Sequence, residues 1–318
     1  MKLNAIALAL GLASSSAFAG VVIQIDPDGS FGTDAVQAVT SLGWNNGNSI
    51  STPTANGQVV PSPTGIIQTY GHSSLANFNG TDSNPIGGLG LNSAYEWTYV
   101  FGSLESATTV PVIPNVLNTS FFTSVAGGDN FFRVYFNTGL TASNVNGTGF
   151  TSPTLIMAGT ISPANVVTGF GYGNFTGTSI AAGPLDQNVA NNYPGLLTTT
   201  GTGSTNLEGI LTYTNPDFIK SAVTGISLSL NTFNSLPFRG TDPSSCFTDG
   251  AGNPVGGAGT NTAGGTCTNN IGTVNGNDGP GTMFMTRASS DFYIPEPSSM
   301  ALVGVGLLSA LGLRRKRA

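Results

Sequence analysis

The sequence is poor in charged residues, and the few that it has are unevenly placed. Only 8% of its 318 residues are Asp, Glu, Lys or Arg, against about 25% in an ordinary soluble domain. Between residues 20 and 293, four basic residues stand against fourteen acidic ones, a net charge of −10. A protein that binds nucleic acid needs a basic stripe to displace counterions from phosphate, so nucleic acid is excluded as a partner. Ser, Thr and Asn must keep this surface hydrated instead.

Histidine is almost absent, and this limits the catalytic chemistry. His72 is the only one, and a Ser-His-Asp site needs a histidine as its proton carrier. No Gly-x-Ser-x-Gly turn follows a predicted strand. His72 lies in a segment rich in Gly and Ser, which predicts a surface position. We therefore expect no catalytic residue, and we expect that the chain is not an enzyme.

A glycan-acting hydrolase is the alternative that needs no histidine. Such enzymes use two carboxylates, one of which has a pKa raised by burial. Glu96, Glu105 and Glu208 are the candidates, and Glu96 stands next to Trp97 and close to Tyr99, aromatic residues of the kind that stack on sugar rings. No spacing in the sequence pairs any two of the three carboxylates. The hydrolase therefore stays an alternative.

Residues 1–19 have the pattern of a secretory signal peptide. Lys2 supplies the positive start, and residues 5–12 form an apolar stretch. Ala17 and Ala19 place small residues where signal peptidase cleaves. A buried N-terminal helix would not need such an ending. We predict export across the inner membrane, with signal peptidase as a transient partner.

The C-terminal segment, residues 294–318, has three parts. Pro295, Glu296 and Pro297 form an extended stretch, because proline continues neither a helix nor a strand. The apolar run of residues 300–313 predicts a transmembrane helix, although it is shorter than the roughly 20 residues of an ordinary span. A basic cluster ends the chain and should stay in the cytoplasm by the positive-inside rule. The cluster consists of Arg314, Arg315, Lys316 and Arg317.

This C-terminal segment resembles the PEP-CTERM sorting domain of Gram-negative bacteria. The resemblance rests on the Pro-Glu-Pro motif, the glycine-containing apolar run and the basic end, all within residues 294–318. It implies that exosortase, a membrane protease, removes the tail during sorting. A membrane-anchored precursor would then become a protein of the cell surface or extracellular matrix. Many bacteria with this family make extracellular polysaccharide, which is therefore an expected partner.

The two cysteines, Cys246 and Cys267, are predicted to form a disulfide. An even number of cysteines in an exported chain favours this pairing. A metal or redox site would need nearby histidine and shorter spacing. The bond would close a Gly-, Asn- and Thr-rich loop that has few apolar residues of its own, and it would contribute on the order of 3 kcal/mol.

No cofactor is predicted, and calcium is the one metal that the sequence leaves open. Residues 26–29, Asp-Pro-Asp-Gly, and residues 275–279, Asn-Gly-Asn-Asp-Gly, place hard oxygen ligands on turns, as calcium sites do. Neither segment has the ligand series of an EF-hand. Asx-Gly pairs also occur simply because they form turns.

Residues 20–293 are predicted to form an all-β ectodomain. Short apolar runs rich in Val, Ile, Thr, Phe and Tyr alternate with Gly, Asn and Pro, and long helical periodicity is missing. Many antiparallel strands joined by glycine-rich turns favour a β-sandwich or jelly roll. The clearest strands are residues 96–101, 131–136, 152–161, 210–213, 225–233 and 283–294.

These features together predict a structural or adhesive protein of the cell surface, biofilm or floc. The uncharged surface suits contact with exopolysaccharide, and exposed aromatic residues such as Trp44 and Tyr172 are expected to stack on sugar. The predicted organisation is a signal peptide in residues 1–19, the ectodomain in residues 20–293 and the sorting segment in residues 294–318.

Overall fold

The structure, a computed structural model, has only β-strands as regular elements in the part that it describes. The described residues are 21–29, 36–54, 64–113, 117–144, 146–163, 168–173, 201–232, 244, 246–256 and 282–294. The strands, in chain order, are β1 (Ile23–Ile25), β2 (Gln37–Val39), β3 (Ser41–Pro53), β4 (Gly65–Asn79), β5 (Glu96–Ile113), β6 (Leu117–Ser124), β7 (Phe131–Asn137), β8 (Thr154–Ile161), β9 (Thr168–Gly173), β10 (Gly201–Thr214), β11 (Gly225–Thr232), β12 (Cys246–Thr248), β13 (Pro254–Gly256) and β14 (Thr282–Tyr293).

Eight of these strands form a closed, antiparallel ring. The order is β11, β14, β3, β4, β5, β7, β8 and β10, and β10 pairs again with β11. Because the ring is closed, none of these eight strands is left as a free sheet edge. The prediction of an all-β, antiparallel domain is thus confirmed.

The expectation of a sandwich or jelly roll was wrong, because two long strands close the sheet on itself. The first half of β5 pairs with β7 and its second half with β6, while β4 pairs along the other edge. Likewise β10 pairs with β9 near its start, with β8 near its end and with β11 along the other edge. The strands β6 and β9 also pair with each other. β5 and β10 are therefore connected twice, once through β7 and β8 and once through β6 and β9.

The residues that point into the ring form an apolar core near one end. Trp97 and Phe78 meet edge to face with ring centroids 5.0 Å apart, and Trp44 packs against Tyr99 in the same way at 4.7 Å. Such pairs gain about 0.5–1.5 kcal/mol beyond their buried area. Other buried members of this core include Leu42, Leu75, Phe101, Phe132, Val134, Met157, Leu207, Ile226, Leu228 and Phe292.

A plug closes the apolar end of the ring. It consists of the β1–β2 hairpin and the turn of residues 215–219. The backbone N–H of Asp26 donates to the carbonyl of Phe218 at 2.8 Å, and the Trp97 indole donates to the carbonyl of Pro27 at 2.7 Å. Gly29 has φ +66°, and a Cβ at this position would lie 2.6 Å from Cζ of Phe218. Only glycine therefore allows this close approach.

Gly71 on β4 offers a test of interior packing. A Cβ at this position would clash with the Phe101 ring and lie 2.5 Å from Ser49 Oγ. We expect Gly71→Ala to lower the free energy of unfolding by about 1–3 kcal/mol, since an overpacked core must shift its neighbours. Chemical denaturation of the purified chain measures this loss.

Gly87→Ala is the matched control. Nothing lies within 4 Å of a Cβ at Gly87, so this variant should unfold with the stability of the native sequence. Equal stability of the two variants would contradict the packing at Gly71.

Candidate functional site

A belt of polar side chains lines the ring beyond its apolar core. Ser51 Oγ lies 2.7 Å from Thr69 Oγ1, which donates to Oε2 of Glu105 at 2.9 Å. The oxygens of Ser103 and Ser124 lie 3.5 Å apart on the neighbouring strands β5 and β6. All these side chains are buried. We call this set, Ser51, Thr69, Ser103, Glu105 and Ser124, the polar belt.

Glu105 is the chemically distinctive member of the polar belt. Burial raises the pKa of its carboxyl group to about 7, and the hydrogen bond from Thr69 lowers it only in part. Ile67, Ala107 and the partly buried Phe122 form a small apolar cluster, and strand pairing places Ile67 opposite Glu105. The acid is thus enclosed, and below neutral pH it carries its proton.

A second layer covers the outside of the ring at strands β4, β5 and β7. It is built from the loop residues 138–144 and 146–150 and from the β12–β13 hairpin. Asp129 accepts a hydrogen bond from the Gly250 N–H at 2.8 Å, and Arg133 donates to the carbonyl of Gly250. Val100 and Phe131 are buried beneath this layer and cluster with Phe150 of the loop. The outer face of the ring is therefore not solvent-exposed here.

His72 lies under this outer layer, so the prediction of a surface position was wrong. Its ring is 1% exposed, stacks on Phe150 with centroids 3.9 Å apart and lies 4.9 Å from the Phe247 ring. Burial lowers the pKa of His72 to about 3. The imidazole is therefore neutral at physiological pH and packs as an aromatic ring.

Ser244 is the side-chain hydrogen-bond partner of His72. His72 Nε2 lies 2.8 Å from Ser244 Oγ, and the Ser244 hydroxyl donates to the carbonyl of Asn144. Both side chains are buried, so this pair joins the outer layer to the ring.

Glu96 has a structural role in the same outer layer. Its Oε1 accepts hydrogen bonds from the N–H groups of Thr141 and Ala142 at 2.6 and 3.1 Å, and from the Asn137 side chain at 3.3 Å. These bonds hold residues 141 and 142 of the outer layer on the ring. Glu96 and Trp97 do point to opposite faces, as strand alternation predicts, but both faces are buried here.

The three carboxylates predicted for a hydrolase are not brought together. Glu96 and Glu105 are nine residues apart on β5, about 30 Å at the rise of a strand, and they lie on opposite faces. Glu208 is exposed on the outer face of β10, whereas Glu105 points into the ring. A glycosidase pair needs carboxyl groups within about 10 Å. These residues do not form one.

Asp26, in the segment considered for calcium, is held by protein groups. Its carboxylate accepts a hydrogen bond from the Gly29 N–H at 3.1 Å and lies 3.7 Å from the Lys220 ammonium. Burial raises the pKa of Asp26, and a hydrogen bond with Asp28 acts in the same direction. In the described ranges no group of three His, Cys, Asp or Glu residues is placed to hold a metal. The second candidate segment, residues 275–279, lies outside them.

Two further predicted residues, Trp44 and Cys246, lie inside the domain. Trp44, expected on the surface, is 2% exposed and donates to Ser290 Oγ at 2.8 Å. Trp44 is buried because it packs in the apolar core, and the sequence around it did not indicate this burial. Cys246 is buried at the start of β12, while Cys267 lies outside the described residues, so the disulfide stays a prediction.

The residues predicted for sorting all lie outside the described part of the chain. They are Ala17 and Ala19 at the predicted signal cleavage site, Pro295, Glu296 and Pro297 in the sorting motif, and Arg314, Arg315, Lys316 and Arg317 in the basic cluster. In the part that the structure describes, no helix is long and apolar enough to cross a bilayer. The predicted helix of residues 300–313 falls outside that part.

Comparison with known families identifies the C-terminal segment. The PEP-CTERM protein-sorting motif matches residues 294–317, which confirms the resemblance seen in the sequence. This motif indicates an exported protein that exosortase sorts, and it implies a membrane-anchored precursor that exosortase processes. No curated protein and no solved structure matches the chain.

Glu105 should make the domain less stable as pH rises. Its folded-state pKa of about 7 exceeds the ordinary value, so the folded state binds the proton more tightly. The stability that this carboxyl group contributes is complete below pH 4.5 and falls by about 3 kcal/mol between pH 4.5 and pH 8. Glu105→Gln keeps the shape and removes only this contribution, so the difference in unfolding free energy between the native chain and the variant should fall by about 3 kcal/mol across that range, as urea unfolding measures. Glu208→Gln, at an exposed site, should keep the native profile; identical profiles for both variants would refute the assignment.

His72 should produce the opposite dependence in acid. Because its folded-state pKa is lowered to about 3, its contribution is complete above pH 6.5 and is lost as pH falls toward 3. His72→Phe keeps the ring packing without the proton and should reduce the loss between pH 7 and pH 4 by about 3 kcal/mol. His72→Gln should also lose the acid dependence but be less stable throughout. If both variants lose as much stability between pH 7 and pH 4 as the native chain does, His72 does not titrate as a buried group.

Proposed function

We propose that the closed β domain is a non-enzymatic component of the cell surface or extracellular matrix that contacts polysaccharide. The exterior of β10 supports this proposal most directly. Ser204, Asn206 and Thr212 are exposed along one face of this strand. Their hydroxyl and amide groups exchange hydrogen bonds with sugar hydroxyls as readily as with water, and such contacts are insensitive to salt.

An aromatic patch on β5 and β6 is the best candidate for stacking on sugar. Phe121 is 42% exposed and pairs across the two strands with Thr108, while Val110 is 46% exposed on the same outer face. We call Thr108, Val110 and Phe121 the β5–β6 patch. A ring next to a hydroxyl group offers both an apolar face and a hydrogen bond, which is the combination that a pyranose ring needs. This patch takes the stacking role that was predicted for Trp44 and Tyr172.

The alternative of a glycan-acting hydrolase has little support in the described geometry. Glu105 has the raised pKa of a general acid, but it is 6% exposed inside the ring. Glu96 is occupied by the backbone of residues 141 and 142. The proposal therefore keeps polysaccharide binding and leaves hydrolysis aside.

Binding of the mature surface protein to the polysaccharide of its own host tests the proposal. Phe121→Ser should weaken binding about tenfold, equivalent to about 1.4 kcal/mol, without changing thermal stability. Ile210→Ser removes a comparable exposed side chain from the opposite end of the ring and should bind as the native protein does. No binding by the native protein, together with normal aggregation of a deletion strain, would overturn the proposed role.

A further inference from the structure

Exposed apolar side chains are concentrated at the plugged end of the ring. Both ends of the described chain leave the domain here, since β1 and the last residues of β14 flank the same segment, residues 220–224. The Lys220 N–H donates to Gln24 at 2.9 Å, and the Thr224 N–H donates to Tyr293 at 2.9 Å. The large apolar residues exposed at this end are Val22, Val36, Leu140, Ile210, Tyr213, Tyr293 and Ile294.

Part of this surface is continuous across three strands. Ile210 on β10 pairs with Gly225 on β11, and Gly225 pairs with Tyr293 on β14. A Cβ at Gly225 would lie 3.1 Å from Cδ2 of Tyr293, so the tyrosine ring leans over the glycine toward Ile210. Ile210 is 54% exposed and Tyr293 is 38% exposed. The absence of a side chain at position 225 joins these two into one patch.

The position of the sorting motif shows what this patch faces. We call Val22, Ile210, Tyr213, Tyr293 and Ile294 the terminal rim. Only five residues separate Ile294 from the apolar run of residues 300–313, and the six chain steps from 294 to 300 span about 20 Å at most. While the sorting tail is in the bilayer, Ile294 must therefore stay within that distance of the membrane surface, and the other residues of the terminal rim lie at the same end of the ring.

The chemistry of the terminal rim suits the interface between lipid and water. Tyrosine is enriched at that level, because its ring is apolar and its hydroxyl is polar. Aliphatic side chains such as Ile210 gain by leaving water at the same depth. We propose that the terminal rim contacts the lipid of the outward-facing leaflet while the tail is in place. The β5–β6 patch then faces away from the membrane.

The lipid contact of the terminal rim should be too weak to hold the domain on the membrane after the tail is removed. Five side chains bury too little area to hold a protein on a membrane alone, since stable anchoring usually needs a second signal. The sorting tail supplies that signal by keeping the terminal rim at a high local concentration near lipid. Removal of the tail by exosortase ends the contact. This inference rests on the membrane-anchored precursor and is independent of polysaccharide binding.

Depth-dependent fluorescence quenching of the full-length precursor tests this orientation. The precursor is reconstituted in phosphatidylethanolamine–phosphatidylglycerol vesicles that carry a lipid with a nitroxide near the headgroup. Ile210→Trp and Tyr293→Trp place the reporter in the terminal rim, and Phe121→Trp and Val110→Trp are matched controls in the β5–β6 patch. The native Trp44 and Trp97 are buried and contribute the same background to every variant.

Quenching at positions 210 and 293 should exceed that at positions 121 and 110 at least twofold. Equal quenching at both ends would overturn the proposal. Quenching that is absent at the terminal rim, with emission that shifts to shorter wavelength as protein concentration rises, would instead assign this surface to a second copy of the chain. Each variant should unfold at the temperature of the native chain, which shows that the ring is intact.

Discussion

Closure of the sheet through β5 and β10 is the constraint on which the rest of the structure depends. Each strand is long enough to pair with two partners in succession along one edge and with a third partner along the other. Backbone hydrogen bonds thereby continue around the whole ring. An exported protein gains from this arrangement, because a closed ring has no edge on which another chain could add a strand.

Closure also allows the interior of the ring to contain both apolar and polar side chains. The end that holds Trp97 and Phe78 supplies apolar burial, while the polar belt around Glu105 is tolerated because its hydroxyls are linked to one another and to the carboxyl group. A buried polar group is costly only when it is left without a partner. The histidine and the glutamate that were weighed for catalysis are used in the same way, to hold layers together. His72 and Glu96 are buried and fix the outer layer on the ring.

The strands with bulky residues were predictable from the sequence, and those without them were not. The run at residues 96–101 combines aromatic and β-branched residues and lies in β5, and the run at residues 131–136 lies in β7. In contrast, β4 contains Gly71, His72 and Ser73 in a row, which locally suggests a turn. These residues are strand only because β3 and β5 pair on either side.

The candidate site shows the same division between local and long-range information. Spacing along the chain identified the sorting motif, because proline, an apolar run and a basic end are sequence features by nature. The hydrogen-bond partner of His72 is Ser244, 172 residues away. Thr69 on β4 donates to Glu105 on the neighbouring strand β5, 36 residues further along the chain. No local pattern contains such contacts. The exposed aromatic residues of the described part likewise include Phe121, Tyr213 and Tyr293 but not Trp44, since exposure depends on what covers the sheet.

Intact-mass and terminal-sequence analysis of the protein recovered from the cell surface tests the central claim most directly. A β domain that is exported and sorted should lack residues 1–19 and the segment that follows Pro295-Glu296-Pro297. The same spectrum would show two missing hydrogens if Cys246 and Cys267 are joined. A recovered protein that still ends in Arg317-Ala318 would contradict the account, because it would remain a membrane-held domain and would not reach the matrix.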